Sequence, residues 1–136
     1  MQNKVAKIIQ TNEKLVKDFY NSFKIKDRDY GLFCQDNIEW ITMEGMPAGG
    51  RYVGIDSVFE EYFPKMLSNF EEFHAYPTEF LCIDDKVIVF GRYHGQTKIG
   101  KKFIVPFCHL YTIKDYKIFQ FKQYTDTLII NDAITD

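Results

Sequence analysis

Two side chains in this sequence have the type and setting for acid–base chemistry. His109 stands in Val105-Pro106-Phe107-Cys108-His109-Leu110-Tyr111, a strand pattern that is otherwise almost wholly apolar. Removal from water favours the neutral imidazole, which donates one hydrogen bond and accepts another. Such a donor in an apolar pocket suits the stabilisation of a developing oxyanion. Asp126 follows Phe121-Lys122-Gln123-Tyr124-Thr125 at the end of the last strand pattern. A carboxylate at a sheet end beside aromatic rings is expected to have a raised pKa, which fits a general acid or base near neutral pH. The plainer alternatives are a core histidine satisfied by a backbone group and an aspartate that starts a turn or caps an element.

Around these two, Trp40, Phe107 and Tyr124 are candidate ring walls for a substrate, with core filling as the alternative for each. Arg92 alternates with Phe90 and His94 on one strand face and is a candidate substrate contact or an exposed sheet-face charge. Other chemistry has little support. His74 and His94 have no second ligand at metal spacing, and Cys34, Cys82 and Cys108 form no CxxC pair, so neither a metal nor a disulfide frame is expected. No GxSxG, P-loop or GxGxxG motif occurs, so acyl-serine, nucleotide and dinucleotide chemistry have no motif, and no cofactor is expected.

The elements that must position these residues change period halfway along the chain. Residues 4–24 carry Val5, Ile8, Ile9, Leu15, Val16, Phe19, Tyr20 and Phe23 at steps of three and four, which predicts a helix. A short helix is expected over 29–35 and a short strand at Ile38-Glu39-Trp40-Ile41-Thr42. Four glycines and Pro47 make 44–54 a loop, of a length often used as a lid or binding loop. A third helix is expected over 55–68, with Ser57 and Glu60 at capping-box spacing and a kink or break at Pro64. Residues 71–83, 86–96, 102–114 and 117–127 then read as strands joined by hairpin turns, with Gly91 and Gly95 suggesting bulges or bends in the second. Helices followed by a run of strands indicate one α+β domain over residues 1–136, with N-terminal helices on a strongly curved antiparallel sheet that forms a cone with an apolar pocket.

Composition agrees. Aromatic residues make up 17% of the chain, with 13 Phe and 9 Tyr, enough to build both a core and the walls of a site for a flat ligand. Net charge is -2, with lysines scattered among acids, so nucleic acid is not expected as a partner. No apolar run approaches a membrane span, no secretion signal is read at the start, and a cytoplasmic protein is expected.

The ordered motifs resemble those of a known family. They are Trp40 after the short strand, Gly49-Gly50-Arg51-Tyr52-Val53-Gly54 before the third helix, and Asp85-Lys86-Val87-Ile88-Val89-Phe90-Gly91 in a central strand. Gly100-Lys101-Lys102, Pro106-Phe107-Cys108-His109-Leu110-Tyr111, and Lys117-Ile118 leading to Tyr124-Thr125-Asp126-Thr127 complete the set. Over nearly its whole length the chain resembles the SnoaL-like polyketide cyclase branch of the nuclear-transport-factor-2-like superfamily, to which ketosteroid isomerase also belongs. The resemblance implies a helix-covered conical sheet, pairing as a homodimer through sheet surfaces, and ring closure by an intramolecular aldol reaction without cofactor or metal. It also implies an acid/base aspartate near the end of the last strand, matched by Asp126. His109 falls about where the isomerase keeps a protonated aspartate in its oxyanion hole. The isomerase's own base would fall near Thr42, which cannot serve as one.

The expectation is therefore a cofactor-free isomerase or cyclase moving a proton next to a carbonyl of a small apolar or aromatic molecule. Asp126 would be the base and His109 the oxyanion donor, with Trp40, Arg92, Phe107 and Tyr124 around the substrate. The alternatives are a non-catalytic small-molecule-binding or dimerisation domain and, behind it, an epoxide-hydrolase-like site using Arg92 and Asp126.

Overall fold

The computed structural model describes residues 2–25 and 29–136, and the side chains of Val5, Ile8 and Ile9 lie outside what it describes. Helix α1 (Gln2–Ser22) is amphipathic as predicted: Val16 and Phe19 are buried, while Lys14 and Lys17 form exposed ion pairs with Asp18 and Glu13. A 3₁₀ turn (Tyr30–Leu32), started by Asp29 accepting from the Gly31 amide, occupies the place of the expected second helix. Strands β1 (Cys34–Ile41) and β2 (Arg51–Val53) follow; β2 lies inside the stretch expected to be loop. The third helix begins as a π-helical stretch (Ser57–Tyr62) and tightens into α2 (Phe63–Leu67). Pro64 sits at the start of α2, where a missing N–H is tolerated, so the change of helix type replaces the expected kink. The capping box does not form, because Asp56 precedes the helix in helical backbone and Ser57 Oγ donates to Glu61 instead, at 3.3 Å.

Strands β3 (Phe70–Ile83), β4 (Lys86–Thr97), β5 (Lys102–Lys114) and β6 (Lys117–Thr125) match the four expected, except that the last ends at Thr125 and gives way to helix α3 (Thr127–Ile134). That helix was not foreseen, since Thr-Leu-Ile-Ile reads equally well as strand. The six strands run in the order β2-β1-β6-β5-β4-β3. All neighbours are antiparallel except β1 and β6, which run parallel, so the sheet is mixed.

Bulges curl the sheet and aim its side chains. On β6 the register passes from Thr112 opposite Gln120 to Ile113 opposite Ile118, leaving Phe119 as the extra residue. This resets the alternation, so that Ile118, Phe121 and Gln123 all face inward. The bulges expected in β4 lie on its partner β3, between Phe70 and Glu72 and between Pro77 and Glu79. Gly91 and Gly95 serve the fold by leaving room for rings. A Cβ at Gly91 would lie 2.6 Å from Phe107 Cζ, and one at Gly95 would lie 2.4 Å from Phe103 Cζ. The core forms where α1 and the π/α2 segment lie over the concave face. Phe19, Trp40, Phe59 and Tyr111 meet there in edge-to-face pairs, a geometry favoured by the ring quadrupoles.

Candidate functional site

The helices do not fill the cone. A cavity of about 560 Å³ remains between α1, the π/α2 segment and the concave sheet face, within the range of small-molecule sites. Its walls are chiefly aromatic, among them Trp40, Phe59, Tyr62, Phe63 and Phe121, and its rim carries Asn21, Lys24, His74 and Tyr76. Among the described residues no aspartate or glutamate lines it.

One polar chain crosses this apolar space. Alternation on β4, β5 and β6 turns Tyr93, His109 and Gln123 inward, and α1 lays Tyr20 above them. His109, 4% exposed, meets Tyr20 Oη through Nδ1 at 2.6 Å and Tyr93 Oη through Nε2 at 2.5 Å. Gln123 Nε2 donates to Tyr93 Oη at 2.8 Å. The imidazole is clamped by Phe107, whose ring stacks on it at 3.9 Å. Burial holds His109 well below its usual pKa and pushes Tyr20 and Tyr93 well above theirs. All three are therefore neutral at pH 7, and the chain offers hydrogen-bond donors without charge.

Neutrality also sets the tautomer logic. Neutral His109 has one N–H and one bare nitrogen. If Tyr20 donates to Nδ1, then Nε2–H and Gln123 both donate to the Tyr93 oxygen. The Tyr93 hydroxyl proton is then free for an oxygen bound in the cavity. Two atoms of wall residues, Trp40 Nε1 and Gln123 Oε1, are sealed from water-sized probes and have no hydrogen-bond partner among the described residues. Each such group typically costs about 1–3 kcal/mol when left unmatched.

The burial of His109 has a measurable consequence. Its unfolded pKa is about 6.5 and its folded value lies well below, so between the two the unfolded chain binds more protons. Stability from this group is present above pH 6.5 and is lost as pH falls through that window, by about 1.4 kcal/mol per pH unit. His109→Gln is expected to lose less stability than the wild type between about pH 7 and pH 5, by about 2 kcal/mol in urea titrations. Equal losses would show that His109 does not control the acid limb.

Of the six residues singled out from sequence, Trp40 and His109 line the cavity. Phe107 does not line it; it backs His109 from within the core, because Gly91 leaves space for its ring. Arg92 and Tyr124 have the opposite strand parity and lie exposed on the convex face. Asp126 stands past the end of β6, exposed, where Oδ1 accepts from the amides of Leu128 at 3.1 Å and Ile129 at 3.4 Å as the N-cap of α3. Asp126 is thus a helix cap outside the residues that line the cavity, while His109 lines it. Arg92 and Asp126 do not meet in the cavity either, which removes the epoxide-hydrolase-like arrangement.

Tyr20, Tyr93 and Gln123 were missed. Tyr93 shares strand parity with Val87, Val89 and Gly91, and that signal was present in the sequence. Gln123 becomes an inward residue only through the Phe119 bulge. Cys34 is buried and its thiol is pushed up to about 12 by desolvation, and desolvation also raises the partly buried Cys82 and Cys108. Among the described residues no group of three metal-ligating side chains converges, and no helix is long and apolar enough to cross a membrane.

A curled sheet capped by helices over an aromatic cavity is the architecture of the nuclear-transport-factor-2-like proteins, and solved structures agree. A protein of this class from Burkholderia thailandensis E264 superposes with a TM-score of 0.83 at 26% identity, over 92% of this chain and 98% of that one. TerC co-crystallised with polyporic acid gives a TM-score of 0.82 at 25% identity, over 91% and 98%. A protein described as a SnoaL-like polyketide cyclase from Jannaschia sp. CCS1 gives 0.80 at 18% identity, over 93% of both chains, and supports the fold alone. Residues 16–121 match the family model of the SnoaL-like domain, and the chain belongs to that family. No curated protein sequence matches it.

Proposed function

We propose that this chain binds a small, flat, largely apolar molecule carrying a carbonyl or enol oxygen, and that it promotes cofactor-free proton transfer at the carbon next to that oxygen. The observation that carries this reading is the neutral Tyr20–His109–Tyr93–Gln123 chain inside an aromatic cavity. With its hydroxyl proton free, Tyr93 donates to the ligand oxygen, and the donation strengthens as that oxygen becomes an enolate. The proton leaves carbon for water or for a basic group of the substrate, and water returns one when the enolate collapses. A base held in place typically adds about 10²–10⁴-fold. Among the described residues the cavity has no carboxylate for that task, and this specific feature favours a second reading, a binding protein that returns its ligand unchanged.

Proton exchange separates the two readings. 2-Tetralone, a flat two-ring ketone, is incubated with the protein in D₂O and its α-hydrogens are followed by NMR. Exchange faster than in buffer, blocked by excess polyporic acid as a competitor, supports the enzyme. Binding without faster exchange supports the binder. Neither binding nor exchange defeats both.

The partner in solution is proposed to be a second copy of the chain, docked on the convex sheet face. Phe90, Ile104 and Tyr124 are 40%, 56% and 49% exposed there, and Phe90, Cys108 and Tyr124 lie side by side across β4, β5 and β6. A twofold axis through that row would place each apolar stripe on its own copy. Tyr124→Glu is expected to weaken association at least about thirtyfold by sedimentation equilibrium. A monomeric wild type would end this proposal. Three free cysteines suit a reducing compartment such as the cytoplasm.

A further inference from the structure

We infer that His74 and His94 form a two-imidazole clip for a divalent transition cation of the Zn²⁺ type, on the sheet face turned away from the cavity. The two histidines stand far apart in sequence, at no chelating spacing, and strand register joins them. The β3–β4 ladder sets His74 directly opposite His94. Its register runs without a break from Glu72 to Pro77, between the two β3 bulges, so the pairing is regular at this point. Directly opposite residues of an antiparallel pair share a face and have Cβ atoms about 4.5–5.5 Å apart. Zinc–imidazole bonds of about 2.0–2.1 Å in tetrahedral geometry hold two nitrogens roughly 3.4 Å from each other. Side chains rooted at that Cβ spacing reach it by rotation about χ1 and χ2, with no movement of the backbone.

The rings share one face and are unengaged. Tyr76 packs edge-on against His94 at 4.8 Å and lies 6.1 Å from His74. Ala75 and Tyr93, of the opposite parity, line the cavity instead. Because β3 is the edge strand, His74 and Tyr76 also touch the cavity rim. Among the described residues neither imidazole has a hydrogen-bond or ion-pair partner, unlike His109, whose two nitrogens meet Tyr20 and Tyr93. His74 is exposed and His94 half-buried, so a hydrated ion reaches both. Glu72 and Arg92 stand on the same face beside the pair, and their opposite charges offset. Two imidazoles, with water completing the shell, favour Zn²⁺, Ni²⁺ and Cu²⁺ and reject Mg²⁺ and Ca²⁺, which prefer oxygen ligands. A bound ion would tie the edge strand to its neighbour beside the cavity wall.

The test titrates Zn²⁺ alone into the whole chain, followed by calorimetry and by the imidazole NMR signals. The chain has three histidines, so His109 serves as an internal control. Zinc is expected to shift the ring signals of His74 and His94 together and to leave those of His109 in place, while Mg²⁺ shifts none. His74→Gln and His94→Gln should each weaken zinc binding about tenfold or more, because either change leaves one imidazole without its chelating partner. Amide spectra report that each variant keeps the sheet. Sedimentation should be the same with and without zinc, since the clip lies within one chain. Zinc that moves neither histidine or only one, an affinity unchanged in either variant, or association of chains driven by zinc overturns the inference.

Discussion

Tyr93→Phe is expected to slow α-proton exchange of 2-tetralone by about 10²–10³-fold in kcat/KM, the usual effect of losing one donor to a developing oxyanion. Tyr93 is the member of the polar chain proposed to meet the ligand. Its oxygen faces His109 Nε2 at 2.5 Å and accepts from Gln123 Nε2 at 2.8 Å, and in the tautomer that carries the proton on Nε2 two donors hold it and its own proton is free. Phenylalanine keeps the ring packed against Phe73 and Phe107 and removes only the hydroxyl. The neutral state of the chain is what makes the effect large. Burial holds Tyr93 well above its normal pKa, so it acts as a donor in a low-dielectric space without being ionised first. Tyr20→Phe should cost less, since Tyr20 meets His109 Nδ1, one position removed from the proposed donor Tyr93. An exchange rate in Tyr93→Phe equal to the wild type would show that the donor lies elsewhere.

Gly91→Ala is expected to destabilise the protein by about 3 kcal/mol, at the upper end of what overpacking a core usually costs. The added Cβ would stand 2.4 Å from the Tyr76 carbonyl oxygen, 2.8 Å from Pro77 Cα and 2.6 Å from Phe107 Cζ. Two of those atoms are backbone of the β3 bulge, which is held to β4 by its ladder and cannot retreat cheaply. The third belongs to the ring stacked on His109, so any retreat of Phe107 is passed into the cavity. Gly95→Ala provides the comparison. Its closest clash is the far end of the Phe103 ring, with the nearest backbone atom at 3.0 Å, and a rotating ring absorbs part of the strain. Its loss should be nearer about 1 kcal/mol. Urea midpoints at unchanged m-value measure both. A Gly91→Ala protein within about 0.5 kcal/mol of the wild type would mean that the bulge adapts freely.

What could be read from sequence and what could not divide along physical lines. Element type and order were readable because hydrophobic period is local: three- and four-residue steps in α1, alternation in β3 to β6, and turn residues between them. The same locality explains the errors. Thr127–Ile134 is apolar enough to continue a strand, and only docking of Ile130 and Ala133 into the core makes it a helix. Ser57 and Glu60 have cap spacing, but the helix there opens with π geometry and offers the pair no cap to make.

For the site, the setting of His109 was determined by its own strand: an imidazole among apolar neighbours had to be buried and neutral. Its partners were not. Tyr20 comes from a helix 89 positions away, Tyr93 from the adjacent strand and Gln123 from a strand whose parity is reset by one bulged residue. Sequence spacing carries no information about such meetings, because they depend on register and on where α1 lies across the sheet. Asp126 shows the reverse case. Its sequence setting allowed either a base or a cap, and tertiary structure chose the cap by starting α3 there. The sequence by itself determined that this chain is a curled sheet under helices with a buried neutral histidine. Only the folded structure decided which side chains share the cavity with it, because inward and outward faces are assigned by pairing and bulges rather than by residue type.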